Sequence, residues 1–375
     1  MAIKYPDYSN SLVNLSCSIL KYFGVQDIKH STLECADEIL NKQKPNNVVI
    51  MLFDAMGINI LKKHLPKDSF TRTHIVKTIS STFPPTTVAA TTAVNSGLTP
   101  IESGWLGWIT YYKEVDKNVV TFFNTIQDTE TPAAEESLTY SAIPYKTLSQ
   151  QISEANPQTD CTIVAPFKLN IWDNQVISES IDNSCNAILE ITKDKSKNHF
   201  IYSYWADPDH IMHEVGIDAE SVTPVLQEID QNLEKLSTSL DEDTVVFVIA
   251  DHSQINSKWV FLNDYPDLYE LLVRKPSMES RAASIFVKPG MCDKFKEFFN
   301  KYIGQHFLLL DHDQFLKSGL LGSGIPHPRT DDFVGDFVAI AIDEYCICAE
   351  RTDDLMVGIH AGLTKEEMEI PLIVL

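Results

Sequence analysis

Val48-Val49-Ile50-Met51-Leu52-Phe53-Asp54 is the stretch on which the fold turns. Pro45-Asn46-Asn47 breaks the chain before it, and Gly57 follows it. An apolar run without alternation needs partners on both faces, the pattern of a strand inside a parallel sheet. Its one carboxylate comes at the carboxyl end, where open α/β sheets place their active sites. The pattern recurs. Cys161–Ala165 is a second run, Phe200–Tyr204 leads into Asp207 and Asp209, and Val245–Ala250 leads into Asp251 and His252. Helical periodicity at about 145–155, 181–194 and 219–239 separates these runs, and further helices are expected over 9–24 and 31–42. The alternation predicts an α/β protein, a three-layer sandwich with a mostly parallel central sheet between helices.

After His252 the rhythm changes. Residues 255–335 hold short apolar runs interrupted by Pro266, Pro276, Pro289, Pro326 and Pro328, which reads as a cap-like region inserted into one domain spanning 1–375. Phe337–Ile342 is expected to resume the core.

Composition limits the partners. The formal net charge of −22 repels nucleic acid and anionic membrane surfaces, and opposes phosphate substrates unless bound cations reverse the sign locally. The 7 cysteines include no CxxC pair, which suits a reducing compartment and argues against a thiolate zinc site. Met1–Asn10 lacks a basic segment followed by an apolar one, and no apolar run approaches a membrane span, so a cytoplasmic protein is expected.

Ser81–Leu98 is the chemical centre of the reading. Pro84 and Pro85 prevent a helix before it, and Asn95-Ser96-Gly97 stops one after it, so a loop should feed a helix near Thr87. A hydroxyl there sits among unpaired backbone N–H groups, a place for an anion and for an alkoxide nucleophile. The plainer alternative is an N-cap threonine. Around it, Asp54, Asp209 and Asp251 follow strand ends. His252 adjoins Asp251, His213 lies one helical turn beyond Asp209, and His360 sits in Gly358-Ile359-His360-Ala361-Gly362. Carboxylates and imidazoles without thiolates are a ligand set for zinc or manganese, with enough groups for two ions. Singly, each has a plainer reading as a helix cap or a surface histidine. Trp105, Trp108, Tyr111 and Tyr112 form either a stacking wall or core packing.

These blocks, in this order over roughly residues 47–375, resemble the alkaline phosphatase superfamily, nearest to its type I phosphodiesterase/nucleotide pyrophosphatase branch. The resemblance implies that fold and two metal sites. One would use Asp54, Asp251, His252 and the Thr87 hydroxyl. The other would use Asp209, His213 and His360, the first two selected by the Asp-x-x-x-His-x-x-Gly pattern, with Asp207 and His210 as neighbours. It implies two divalent ions, zinc with manganese as the alternative, and a small phosphorylated substrate, with a nucleotide as the candidate. Thr87 would attack phosphorus and form a phosphothreonine intermediate. Two positions depart from the family: Ala90 stands where its diesterases usually carry an asparagine, three residues after the nucleophile, and Ser253 stands where a glycine follows the Asp-His pair. A replacement phosphate donor would come from backbone N–H groups, Thr91 or Lys168. Trp105 and His327, in the stiff loop Ile325-Pro326-His327-Pro328-Arg329, are further substrate-contact candidates. Other activities fit the same ligand set: phosphomonoester hydrolysis, C–P bond hydrolysis, phosphosugar mutation, or metal and nucleotide binding without turnover.

Overall fold

The computed structural model describes residues 1–375. Its central sheet has 7 strands: β1 (Asn47–Phe53), β2 (Ile75–Ser80), β3 (Thr159–Ala165), β4 (Gln175–Ile177), β5 (Asn198–Trp205), β6 (Thr244–Ile249) and β7 (Glu369–Val374). The order across the sheet is β2-β7-β6-β1-β5-β3-β4. β1 pairs in parallel with β5 and β6, and β3 in parallel with β4 and β5. β7 runs antiparallel between β6 and β2. Every residue of β1 and of β6 is buried, as an unalternating apolar run requires. The helices expected from periodicity form at Leu12–Tyr22, Glu34–Gln43, Leu148–Ala155, Ile181–Thr192 and Val222–Ser239.

A second 7-stranded sheet is antiparallel throughout, in the order Phe307–Asp311, Phe337–Ala341, Ala282–Ile285, Ser277–Met278, Ile109–Tyr112, Lys117–Val120, Thr125–Ile126. It draws three strands from the stretch between β2 and β3 as well as strands from the 255–335 region. Phe337–Ala341 belongs here and does not resume the central sheet. Both faces of this strand are buried, so its residues read locally like a central strand. Separate apolar cores fill the two parts, one around β1, β5 and β6 and another around Trp105, Tyr112 and Phe333.

Arg281 and Glu367 tie the second sheet to the segment before β7. Both side chains are fully buried, and the guanidinium pairs with the carboxylate through Nε at 2.7 Å and Nη2 at 2.8 Å. Glu367 also accepts the Gly362 N–H at 2.7 Å and the Thr364 hydroxyl at 2.7 Å, which holds the loop carrying His360.

Candidate active site

β6, β1 and β5 are neighbours, and each delivers an aspartate beyond its carboxyl end. After β1 the chain turns sharply through Ala55, whose φ of 55° is unusual for a residue with a side chain. The turn aims the Ala55 N–H at Asp251 Oδ1, 3.0 Å away, and the His252 N–H reaches the same oxygen at 2.9 Å. Asp251 Oδ2 is left buried without a hydrogen-bond partner, 3.4 Å from His252 Nε2. Asp54 is arranged alike. Tyr204 donates to its Oδ2 at 2.6 Å, while Oδ1 is buried without a partner, 3.4 Å from His252 Nε2.

The histidines share one pattern. Nδ1 of His213 lies 2.7 Å from the Gly358 carbonyl, that of His360 lies 3.1 Å from the Pro85 carbonyl, and that of His252 lies 3.3 Å from the Ser253 carbonyl. A carbonyl oxygen only accepts, so each Nδ1 carries a hydrogen, which leaves Nε2 as the nitrogen able to bind a cation. Those Nε2 atoms face carboxylates: His213 lies 3.1 Å from Asp209 Oδ2, and His360 lies 4.0 Å from Asp209 Oδ1. Nitrogens and carboxylate oxygens so close together and out of water call for a cation between them, a proton or a metal ion.

The ligand atoms form two groups, Asp54/Asp251/His252 and Asp209/His213/His360, each with its atoms within 4.8 Å of one another. The groups adjoin, since the His252 and His360 rings stack with centroids 3.8 Å apart. Without cations the electrostatics are costly. Burial, then the charges of Asp251 and Asp209, push the Asp54 carboxyl well above the usual carboxylate range. Burial raises Asp251 as well. Burial acts against the charge of Asp209 too, but the imidazoles of His213 and His360 outweigh it and hold its carboxyl low. His360 is pushed well down by burial and by neighbouring His252. Buried orphan oxygens, oriented imidazoles and no thiolate suit divalent ions that accept nitrogen and oxygen ligands.

Thr87 opens the helix Thr87–Ser96, with Thr86 as its extended N-cap residue. The Thr87 hydroxyl lies 3.5 Å from Asp54 Oδ2 and 3.3 Å from His252 Nε2. The Thr86 hydroxyl turns elsewhere and donates to Glu279 Oε1 at 2.6 Å. Tertiary structure thus separates two threonines that the sequence leaves chemically equivalent. Above them opens a cavity of about 1180 Å³, lined among others by Thr87, Asp209, His213, His360, Trp108 and Glu279. Burial pushes the Glu279 carboxyl up to about 7.

The type I phosphodiesterase / nucleotide pyrophosphatase family model matches residues 48–364. The chain belongs to this family. Human ectonucleotide pyrophosphatase/phosphodiesterase family member 5 is 24% identical over 196 residues, which are 49% of this chain and 38% of that protein. The matched stretch is thus well under half the length of that relative. The solved murine ectonucleotide pyrophosphatase/phosphodiesterase 5 covers 87% of each chain with a TM-score of 0.64 at 18% identity. An inactive threonine-to-alanine variant of the murine protein, solved in complex with AMP, is similar at a TM-score of 0.62, 19% identity and 87% of each chain. Phosphonoacetate hydrolase from Sinorhizobium meliloti, solved with phosphonoacetate, has a TM-score of 0.63 at 13% identity and covers 88% of this chain and 90% of its own. These likenesses establish the fold.

Other candidates lie outside the cavity lining. Trp105 is 1% exposed, packs in the second core and donates through Nε1 to the Ile143 carbonyl at 2.8 Å. It is a core residue, and Trp108 takes the place on the wall. Lys168 is exposed on the loop after β3. Thr91 donates its hydroxyl back to the Thr87 carbonyl at 2.6 Å. His327 accepts the Arg329 N–H at 3.2 Å and packs beside Gly104, in a loop-packing role. Ala90 is 0% exposed and packs in the main core. Ser253 fills space at Gly57, where an added Cβ would stand 2.1 Å from the Ser253 Cβ, and its hydroxyl donates to Asn59. Gly57 and Ser253 are therefore a fitted pair.

Residues missing from the sequence reading are Tyr204, Gln254 and Glu279. Gln254 donates to the Asp209 carbonyl at 3.1 Å and also to its carboxylate. Nothing local distinguishes Tyr204 from any other strand tyrosine. Gln254 alone had a signal, its place two residues after His252.

Proposed function

We propose that the protein is a two-metal hydrolase of phosphodiester or pyrophosphate bonds that uses Thr87 as nucleophile. One observation carries this reading: the Thr87 hydroxyl stands at a helix start within reach of both Asp54 and His252, while the Thr86 hydroxyl beside it is directed to Glu279. Asp54, Asp251 and His252 would hold one divalent ion, and Asp209, His213 and His360 the other, zinc being favoured by the nitrogen and oxygen donors. When bound, such ions neutralise phosphate oxygens and make a hydroxyl a better nucleophile.

The chain's own residues supply the rest. The backbone N–H groups at the start of Thr87–Ser96 point at an incoming phosphate oxygen. The Asp54 carboxylate faces the Thr87 proton. Attack by Oγ1 on phosphorus breaks the bond to the leaving oxygen and forms a phosphothreonine, and water then cleaves that ester and restores the hydroxyl. Tyr204 and the Nδ1–carbonyl contacts keep the ligands in position through the cycle. Organic parts of the substrate would occupy the 1180 Å³ cavity between Trp108 and Glu279. The murine relative's complex with AMP makes a nucleotide a substrate to assay first. The likeness to phosphonoacetate hydrolase adds phosphonates to the panel.

Turnover of a chromogenic diester, its monoester and a phosphonate by wild type, Thr87→Ala, Thr87→Ser and Thr86→Ala tests the proposal. Thr87→Ala should lose activity by orders of magnitude with its melting temperature kept, Thr87→Ser should keep part, and Thr86→Ala should be much milder. Normal turnover by Thr87→Ala, or a trapped phosphoryl adduct that maps to Thr86, would overturn it.

A further inference from the structure

The three aspartates of the site follow one scheme. Asp54 has Tyr204 on Oδ2 and keeps Oδ1 buried without a partner. Asp251 has two backbone N–H groups on Oδ1 and keeps Oδ2 buried without a partner. No backbone N–H and no hydroxyl donates to the Asp209 carboxylate. Gln254 takes that place: its Nε2 donates to Oδ1 and, at 3.1 Å, to the Asp209 carbonyl. Oδ2 then faces His213 Nε2 at 3.1 Å. In each carboxylate one oxygen is fixed by a donor and the other is left for a cation.

Packing does not explain a glutamine here. Gln254 is 0% exposed, and its Oε1 is buried with no hydrogen-bond partner. A leucine or methionine would fill similar space without burying an unpaired carbonyl. The amide cannot be reversed, because its oxygen would then face the acceptors of Asp209. What the residue contributes is therefore its nitrogen.

The same side chain abuts Gly358, where an added Cβ would stand 2.3 Å from Oε1. The Gly358 carbonyl is the one that holds His213 Nδ1. Gln254 thus bears on two of the three ligands in the group Asp209/His213/His360. Its own backbone is firmly held. The preceding Ser253 N–H donates to the Glu367 carbonyl at 3.0 Å, and Asn59 donates to the Gln254 carbonyl at 2.9 Å.

We propose that Gln254 is a positioning residue for the ion of the group Asp209/His213/His360, holding Asp209 so that Oδ2 meets the cation. A neutral amide does this while leaving the carboxylate its charge. The inference rests on reading the two ligand groups as divalent-ion sites.

Competitive zinc titration of the full chain against a chromogenic chelator tests it. Wild type should show two steps, one of which His213→Ala removes. Gln254→Leu keeps most of the volume and lacks the donor; it should weaken that step about 10–100-fold and leave the other within about twofold. In an Asp209→Ala background the amide has nothing to hold, so Gln254→Leu should change the residual affinity no further, whereas damage to the fold would persist. Gln254→Met supplies the same comparison if the leucine variant does not fold. Equal affinities in wild type and Gln254→Leu, or the same loss with and without Asp209, overturn the assignment and leave both ion sites in place. A wild type with no step that His213→Ala removes lacks the second ion site, and the proposal falls with it.

Discussion

Replacing Arg281 with methionine should unfold the link between the two sheets and, with it, the second ligand group. Methionine approximates the length of arginine without its charge. It leaves the Glu367 carboxylate buried with no cation, and leaves the carbonyls of Tyr345 and Asp343, which accept from Arg281 at 2.8 and 2.7 Å, without their donor. Breaking one side of a buried pair typically costs about 3–5 kcal/mol. At about 2.1 cal/mol/K per residue, this chain has a transition entropy of about 0.8 kcal/mol/K, so the melting temperature should fall by about 4–6 °C. The effect should reach the site, because Glu367 accepts the N–H of Gly362, two residues past His360. Zinc affinity of the Asp209/His213/His360 group should therefore fall more than that of the other group. Thermal melts and zinc titrations on wild type, Arg281→Met, Glu367→Leu and the double variant form the assay. The double variant removes both charges and should be more stable than Arg281→Met alone. A loss under 1 kcal/mol in Arg281→Met, or a double variant as unstable as the sum of the singles, would refute the reasoning.

Chelation should lower stability, since zinc at a hundred times its dissociation constant contributes about 2.7 kcal/mol per site; a melting temperature indifferent to chelator would count against the ligand assignment. The Asp54 pH response follows from its raised carboxyl. In the metal-free fold it keeps its proton to higher pH than in the unfolded chain, so its contribution to stability is lost as pH rises from the usual carboxylate range through the folded value. Metal-free wild type should thus lose melting temperature relative to Asp54→Asn as pH rises above the usual carboxylate range, and parallel profiles would refute this. Tyr204→Phe removes the 2.6 Å bond to Asp54 and should weaken zinc binding about 10–100-fold with the fold kept, as read by competition with a chelator.

Much of this protein was decided by local pattern. An apolar run without alternation is buried on both faces wherever it lies, so β1, β3, β5 and β6 were legible residue by residue, and so were the aspartates at three of their ends. The helix start at Thr87 was legible because prolines and Asn-Ser-Gly act within a few residues of themselves. The same locality explains the misreading of Phe337–Ala341. Its residues are as buried as those of β1, and no neighbouring residue records which sheet it joins. Trp105 and Trp108 illustrate the limit again, three positions apart, one in a core and one on the cavity wall. Tyr204 meets Asp54 across 150 residues of chain, and Glu279 meets Thr86 across 193. Contacts at such separations are set by how the two sheets come together, which composition and periodicity do not encode. The sequence alone therefore determined the central sheet and the groups able to bind metal, because both depend on patterns a few residues long. Only the tertiary structure turned the Thr86 hydroxyl away to Glu279 and brought Glu279 to the cavity, because both depend on side-chain directions fixed by distant packing.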